Sequence, residues 1–330
     1  MNRYLAIDVG GTKTHIALFS LNERSQLSIV EEKKYRTQEA NGLEEMLFDF
    51  YPKMDNIESI SIALAGPVIG EESQLTNVTW KVEKEKIIKA TGITSIHLLN
   101  DLEASAFGIP FMENSHLLPI FKAEKKIAGN AAVIAPGTGL GEAGMYWDGQ
   151  SFRPFATEGG HCDFSSRDNT DISLLMFLQH KFGHVSWERL VSGNGIVNIF
   201  DFLRTSSDYN LDKEVESILL EGDIAANISS AALKGELIAI ETMKLFVKYL
   251  AIESANLALK FKATGGLYIG GGIVPKIWND DYHELFLKYF FGVGRLEPLL
   301  RCIDVTIILN PMSVLFGAAH YGFDQDVGNR

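Results

Sequence analysis

At Leu98-Leu99-Asn100-Asp101-Leu102-Glu103 an apolar strand runs into a helix, and Asp101 at the junction has the chemistry of a proton acceptor. A carboxylate at a helix start is fixed by the local backbone and kept ionised by the helix dipole. The same residues also spell a cap, with Asn100 at N-cap and Glu103 three positions on, satisfying orphan N–H groups. Cap and base are compatible roles. A second constellation, Glu158-Gly159-Gly160-His161-Cys162-Asp163, packs two acids, a histidine and a thiol around two glycines. Adjacent residues on an extended chain point in alternate directions, so His161, Cys162 and Asp163 do not converge on a metal. A glycine-turned loop whose Glu158 and His161 bond hydroxyl groups fits these residue types, as does a plain polar turn. By the same alternation, if His161 faces a ligand then Cys162 points into the core behind it, as a packing thiol. Glu188, in Ser186-Trp187-Glu188-Arg189, reads as part of a short helix capped by Ser186 and, taken alone, as a solvated surface acid.

Three glycine clusters follow apolar runs. Asp8-Val9-Gly10-Gly11-Thr12 ends the first, and two glycines there let backbone N–H groups approach an oxyanion while Thr12 adds a hydroxyl. A hairpin turn is the plain alternative. Asp8 at the strand end is able to hold Mg²⁺ through water, since that ion takes one or two carboxylates plus phosphates. Gly137-Thr138-Gly139-Leu140-Gly141 is the second cluster and Gly270-Gly271-Gly272 the third. The first lacks the spacing of a Walker loop and the second that of a dinucleotide fingerprint. As a set they suggest phosphates held from two sides and a nucleoside held by the third.

The elements that must carry these residues can be read from periodicity. Residues 3–9 and 14–20 are too close for a crossover helix and predict an antiparallel hairpin. A strand near 27–36, a helix near 40–50, strand Ile57–Ala65 broken by Gly66-Pro67, a helix near 83–90, strand Ser95–Leu99 and a helix Leu102–Phe107 ended by Ile109-Pro110 follow. Strands Ala131–Ala135 and Glu142–Trp147 flank the second glycine cluster. Helices are predicted over Ile172–Lys181, Gly193–Leu203, Glu214–Leu233 and Glu236–Lys260, then strands Gly266–Ile269 and Asp304–Leu309, a helix Pro311–His320 and a frayed tail over 324–330. Ile7-Asp8-Val9-Gly10-Gly11-Thr12 and Val133-Ile134-Ala135-Pro136-Gly137-Thr138 share one plan of apolar strand, Gly-Thr turn and apolar strand. A match this short also arises by chance; as a duplicated unit it predicts two α/β halves that each offer a Gly-Thr turn to a shared cleft.

Composition narrows the partners. The chain has 330 residues, 46% hydrophobic and 22% charged, which suits two domains with separate cores. A formal charge of -12 argues against a nucleic-acid or anionic-membrane surface. The apolar stretch near 235–260 is interrupted by Glu241, Lys244, Lys248 and Glu253, which makes it a buried-face helix and not a membrane span. Two distant cysteines, Cys162 and Cys302, form no disulfide framework and suit the cytoplasm. No secretory leader is expected at the N-terminus.

In this order the segments resemble the bacterial glucokinase family of the hexokinase/actin-like superfamily. Besides the motifs above, Leu75-Thr76-Asn77-Val78-Thr79-Trp80, His184-Val185-Ser186-Trp187-Glu188-Arg189 and Gly271-Gly272-Ile273-Val274-Pro275 carry the resemblance. It implies an actin-like (ribonuclease H-like) α/β fold with duplicated mixed sheets, divided as 1–109 plus 311–330 and 110–310, which close on the sugar. It implies ATP-dependent phosphorylation of glucose at the 6-hydroxyl, with Mg²⁺ and with Asp101 as general base. Asn100, Glu158, His161 and Glu188 would hold the other hydroxyls. Gly10, Gly11, Thr12, Gly137 and Thr138 would hold phosphates, with Gly271 and Gly272 beside the nucleoside. A homodimer is compatible with it. Lys13 departs from the family pattern toward the related ROK kinases, yet the cysteines of the ROK zinc cluster are missing, so no dedicated metal site is expected. Another hexose or an N-acetylhexosamine as substrate, a sugar-responsive regulator and an actin-like ATPase are the competing readings.

Overall fold

The computed structural model describes residues 2–22, 26–66, 68, 70, 72–74, 80–205 and 217–328. Contacts divide the chain into Met1–Asn114, Arg153–Ala156 and Asn310–Arg330 as one unit and Ser115–Phe152 and Thr157–Leu309 as the other.

The first unit is built on strands β1 (Arg3–Val9), β2 (Lys13–Leu21), β3 (Leu27–Arg36) and β4 (Ile57–Leu64). A small hairpin of β5 (Glu72–Gln74) and β6 (Lys81–Glu83) precedes β7 (Ile96–Asn100), and the main sheet runs β3-β2-β1-β4-β7. β1 and β4 are apolar and buried on both faces, as central strands must be, while β3 exposes Glu31 to Lys34 at the edge. One face packs Leu5, Ile7, Ile60 and Ile62 with Leu43 and Leu47 of helix Leu43–Phe50 and Ile87 of helix Lys84–Thr91. The other packs Tyr4, Ala6 and Phe19 under Leu315, Ala318 and Ala319 of helix Ser313–Gly328. β1, β4 and β7 are parallel, with Val9 opposite Leu64 and Leu64 opposite Asn100. This register brings Asp8 and Asn100-Asp101 to the same end of the sheet.

The second sheet holds β8 (Leu117–Phe121), β9 (Ala131–Pro136), β10 (Leu140–Trp147), β11 (Phe152–Thr157), β12 (Gly266–Ile269) and β13 (Val305–Ile308), in the order β11-β10-β9-β12-β13-β8; all but Arg153–Ala156 of β11 belong to the second unit. β9 and β10 form an antiparallel pair, and β12 and β13 follow parallel to β9. β1 and β2 with β4 and β7 follow the same plan, so the predicted duplication is present in the sheets. Helix Leu237–Phe261 is buried on most of its surface, including Lys248 and Glu253. Lys248 is accommodated by ion pairs of 2.6 Å to both Asp168 and Asp171, as a buried charge requires.

Several sequence expectations need correction. The single helix over Glu214–Leu233 does not form: Gly222 takes φ +67, and Asp223 caps a separate helix, Ile224–Leu233, by accepting from the Ala226 N–H. Residues 206–216, where the expected helix began, lie outside the described residues, as do Pro67 and the motif residues 75–79. The expected frayed tail is helical as far as Gly328, and Pro311 precedes that helix without entering it. Ile109-Pro110 does end its helix, which stops at Gly108, and the chain continues as a 3₁₀ turn, Ile109–Phe111, with Pro110 in the first turn where its missing N–H costs nothing. Among the described residues no helix is long and apolar enough to cross a membrane.

Candidate active site

In the first unit, Asn100 caps helix Asp101–Gly108 by accepting from the Leu102 and Glu103 N–H groups, as its sequence signature predicts. Asp101 Oδ1 also accepts from the Leu102 N–H at 2.8 Å, which fixes the carboxylate at the positive end of the helix. Asn100 Nδ2 donates to the Gly66 carbonyl, tying the site to the end of β4. Asp8, half-buried at the end of β1, is pushed up to about 7, first by burial and then by the charge of Asp101. The Gly10–Lys13 turn is closed by the Gly10 N–H donating to Lys13 O at 3.0 Å. Thr37 braces it from outside: its hydroxyl donates to Gly10 O and its N–H to Thr12 O. Sequence reasoning missed Thr37, whose only signal was its place directly after β3. Gly11 is half-buried, and Thr12 and Lys13 are exposed.

In the second unit, the Gly137 turn and the late glycines meet. Gly137, Thr138 and Gly272 line one cavity of ≈ 560 Å³, a size that suits a nucleoside. Gly271 itself packs against Pro136: it takes φ +80, and a Cβ there would overlap the Pro136 carbonyl. Ile196, Leu233, Met243, Ile273 and Ile277 give the cavity apolar walls, and Asp223, Ser229, Lys276 and Tyr282 add polar groups. Apart from Ile273, which lies in the Gly271–Pro275 motif, the sequence reading found none of these. The available signal was the small-residue run Ala225–Ala232, a helix face that a flat ring can approach closely.

The Glu158 loop lies elsewhere in this unit. Residues Gly159–His161 form a 3₁₀ turn in which the His161 N–H donates to Glu158 O and the Cys162 N–H to Gly159 O. Glu158, His161 and Cys162 are all exposed. The expectation of a core-facing Cys162 is therefore wrong, because a 3₁₀ turn has no two-residue alternation of side chains. Cys162 O accepts from the Trp187 N–H at 3.0 Å, and Asp163 bridges Ser186. These bonds bring Glu188 beside the loop. Glu188 is not the solvated surface acid that its neighbours suggested: it is half-buried and its Oε2 accepts from the Leu140 N–H at 3.1 Å. Ser186 stands at the N-cap of its turn but makes no side-chain cap bond. Among the described residues no three His, Cys, Asp or Glu gather as a metal cluster.

Comparison with known proteins adds to this geometry. A profile of the family described as Glucokinase matches residues 5–325. The glucokinase of Trichormus variabilis is 34% identical over 336 residues, 97% of this chain and 98% of that one. That of Photorhabdus laumondii is 30% identical over 324 residues, covering 97% of each. Among solved structures, a glucokinase from an Antarctic psychrotroph superposes with a TM-score of 0.82 at 26% identity, over 98% of this chain and 99% of that one. A Balamuthia mandrillaris glucokinase solved with glucose, at 19% identity, shares the fold with a TM-score of 0.73 over 97% of this chain and 93% of that one. Two α/β units on mixed sheets of one repeated plan, each with a Gly-Thr turn at a strand end, are those of the actin-like ATPase fold. Within it, the chain belongs to the glucokinase family.

Proposed function

We propose that this protein transfers the γ-phosphoryl group of ATP to the 6-hydroxyl of glucose, with Asp101 as the general base. The observation that carries this reading is the placement of Asp101, a carboxylate held at a helix N-terminus by the Leu102 N–H, while Asn100 does the capping. A sugar alcohol is a weak nucleophile, and a fixed carboxylate removes its proton as the bond to phosphorus forms. The cavity beside Thr138 and Gly272 takes the nucleoside. The Gly10–Thr12 and Gly137–Thr138 turns would hold phosphate oxygens, with Thr12 and Thr138 as donors since the Gly10 and Gly137 N–H groups close the turns themselves, and transfer then depends on positioning and charge stabilisation. Asn100, Glu158, His161 and Glu188 hold the remaining sugar hydroxyls, whose protons the carboxylates of Glu158 and Glu188 accept well.

Mg²⁺ fits the residues present. Asp8 and Asp101 put two acids close enough at one sheet end to perturb each other, a surplus of negative charge that a divalent cation offsets. Asp8 would hold the ion through water, and the ion would supply charge neutralisation to the phosphates. The reading places the enzyme in the cytoplasm, where its two free thiols stay reduced, and a homodimer belongs to the same proposal.

Asp101→Asn tests it. Turnover should fall by roughly 10²–10⁴-fold with glucose affinity and melting temperature retained, since Asn100 keeps the cap. Near-wild-type turnover in a folded variant removes Asp101 from the chemistry. A coupled assay over glucose, other hexoses and N-acetylhexosamines, with ATP and other donors, decides the substrate; no turnover with any of them would return the chain to a sensing or ATPase role.

A further inference from the structure

β10 carries an acid where its neighbours are apolar. Glu142, paired in register with Ile134 of β9, is 2% exposed, and among the described residues its buried carboxyl oxygens meet no N–H or hydroxyl donor, only the neighbouring acid Glu253, with which they can share a proton. The carboxyl group lies directly beneath the Glu158–Cys162 turn: a Cβ built on Gly159 would overlap Oε2 and stand 2.9 Å from Cδ. The backbone of the same residue anchors the turn as well. Thr157 Oγ1 donates to Glu142 O at 2.9 Å and accepts from the Gly159 N–H at 3.2 Å. Behind Glu142 stands Glu253 of helix Leu237–Phe261, 0% exposed, which accepts from Asn256 Nδ2 at 2.8 Å and Lys260 Nζ at 3.2 Å. Arg167 acts on Glu253 from its own segment, and Cys162 acts on Lys260. The cluster thus has two buried acids and one contacting cation, already engaged by Glu253.

We propose that Glu142 is a positioning residue for the sugar loop: as an uncharged acid it lets Gly159 and Gly160 seat on β10 and so places Glu158 and His161, and its ionisation unseats the turn. This rests on reading that turn as the sugar loop. A buried carboxylate with no donor beside a second acid is costly, and the cheapest relief is to admit water. The backbone of Gly159 lies directly against Glu142 Oε2 with no side chain of its own between them, so the turn is what moves. Burial first, then the charge of Glu253 and a hydrogen bond shared with it, push Glu142 up to about 8, with Lys260 pulling the other way. The switch therefore falls just above neutral pH.

The test compares the purified full chain with Glu142→Gln, which keeps the shape and cannot ionise. At about pH 9 roughly a tenth of the wild type retains the seated loop, so KM for glucose should rise ~10-fold from its value at about pH 7, with kcat changing less than about 2-fold. Glu142→Gln should hold its KM within about 2-fold of its own neutral value. In parallel, hydrogen exchange of the His161 and Cys162 amides, corrected for intrinsic rates, should accelerate about 10-fold in the wild type alone. An equal KM rise in Glu142→Gln, or unchanged amide protection in the wild type, overturns the proposal. Absence of sugar turnover at every pH sinks the kinase reading instead, and the exchange measurement still decides the role of Glu142.

Discussion

Asp101 and Cys162 mark the two extremes of what single residues disclose. The Asn100 cap was legible because capping is local: an oxygen one residue before the helix meets N–H groups two and three residues on. The direction of Cys162 was not, because it depends on whether five residues run extended or turn, and two glycines permit either. Its exposure has a direct consequence. Iodoacetamide should label Cys162 at a rate within about 10-fold of a small free thiol, as accessible thiolates do. Cys302 should lag, being half-buried with Sγ donating to Pro298 O at 3.4 Å. Peptide mass spectrometry over a time course reads both sites. Labelling of Cys302 before Cys162 would contradict the turn geometry. Glu188 shows the same limit from the other side, since its contact with the Leu140 N–H joins residues 48 positions apart.

At the scale of elements, central strands declared themselves, as did β3 and β7 at the edges of the first sheet, but the edges of the second sheet did not. β1, β4, β9 and β12 are apolar runs that any periodicity argument finds, whereas β8 and β11 escaped it. β8 contains Pro119 and exposes its middle, and β11 contains Pro154 and alternates only weakly. Proline and exposure are tolerated there because edge strands need fewer ladder bonds. The Gly159 turn is where element and site meet. Gly159→Ala should cost about 1–3 kcal/mol of stability, because the new methyl has no room above the Glu142 carboxyl. Its KM for glucose should rise ~10-fold or more as the turn lifts. Adding Glu142→Ala should recover part of the lost stability, since the two residues share one space, and a double-mutant cycle on melting temperature measures that coupling. Strict additivity would mean that the two do not meet.

For the whole molecule, the perturbed groups fix how stability responds to pH. Glu142 is raised to about 8 and Asp8 to about 7, each by burial first, and burial also raises Glu253 and Glu103. An acid raised in the folded state contributes stability that is present below its unfolded value and lost as pH climbs through the folded one. Glu142 and Asp8 therefore weaken the protein between about pH 4 and about pH 8, and Glu253 and Glu103 add to the loss in the same direction. Two groups act on the acid side. His320 is lowered from 6.5 to about 4 by burial, and Asp168, although burial alone would raise it, is held below its ordinary value by Lys248 and the Asp171 N–H. Stability from both is lost as pH falls through their folded values. Between about pH 4 and 6.5 the gain from His320 offsets only one of these acids, so the melting temperature in Mg²⁺-free buffer should be highest near pH 4 and decline toward pH 9. Glu142 alone accounts for about 3–5 kcal/mol of that decline, equivalent to about 5–10 °C. Glu142→Gln should thus melt about 5–10 °C above the wild type at pH 9 and within about 2 °C of it at pH 5. A constant offset at every pH would assign the gain to packing and leave the titration of Glu142 without effect on the fold.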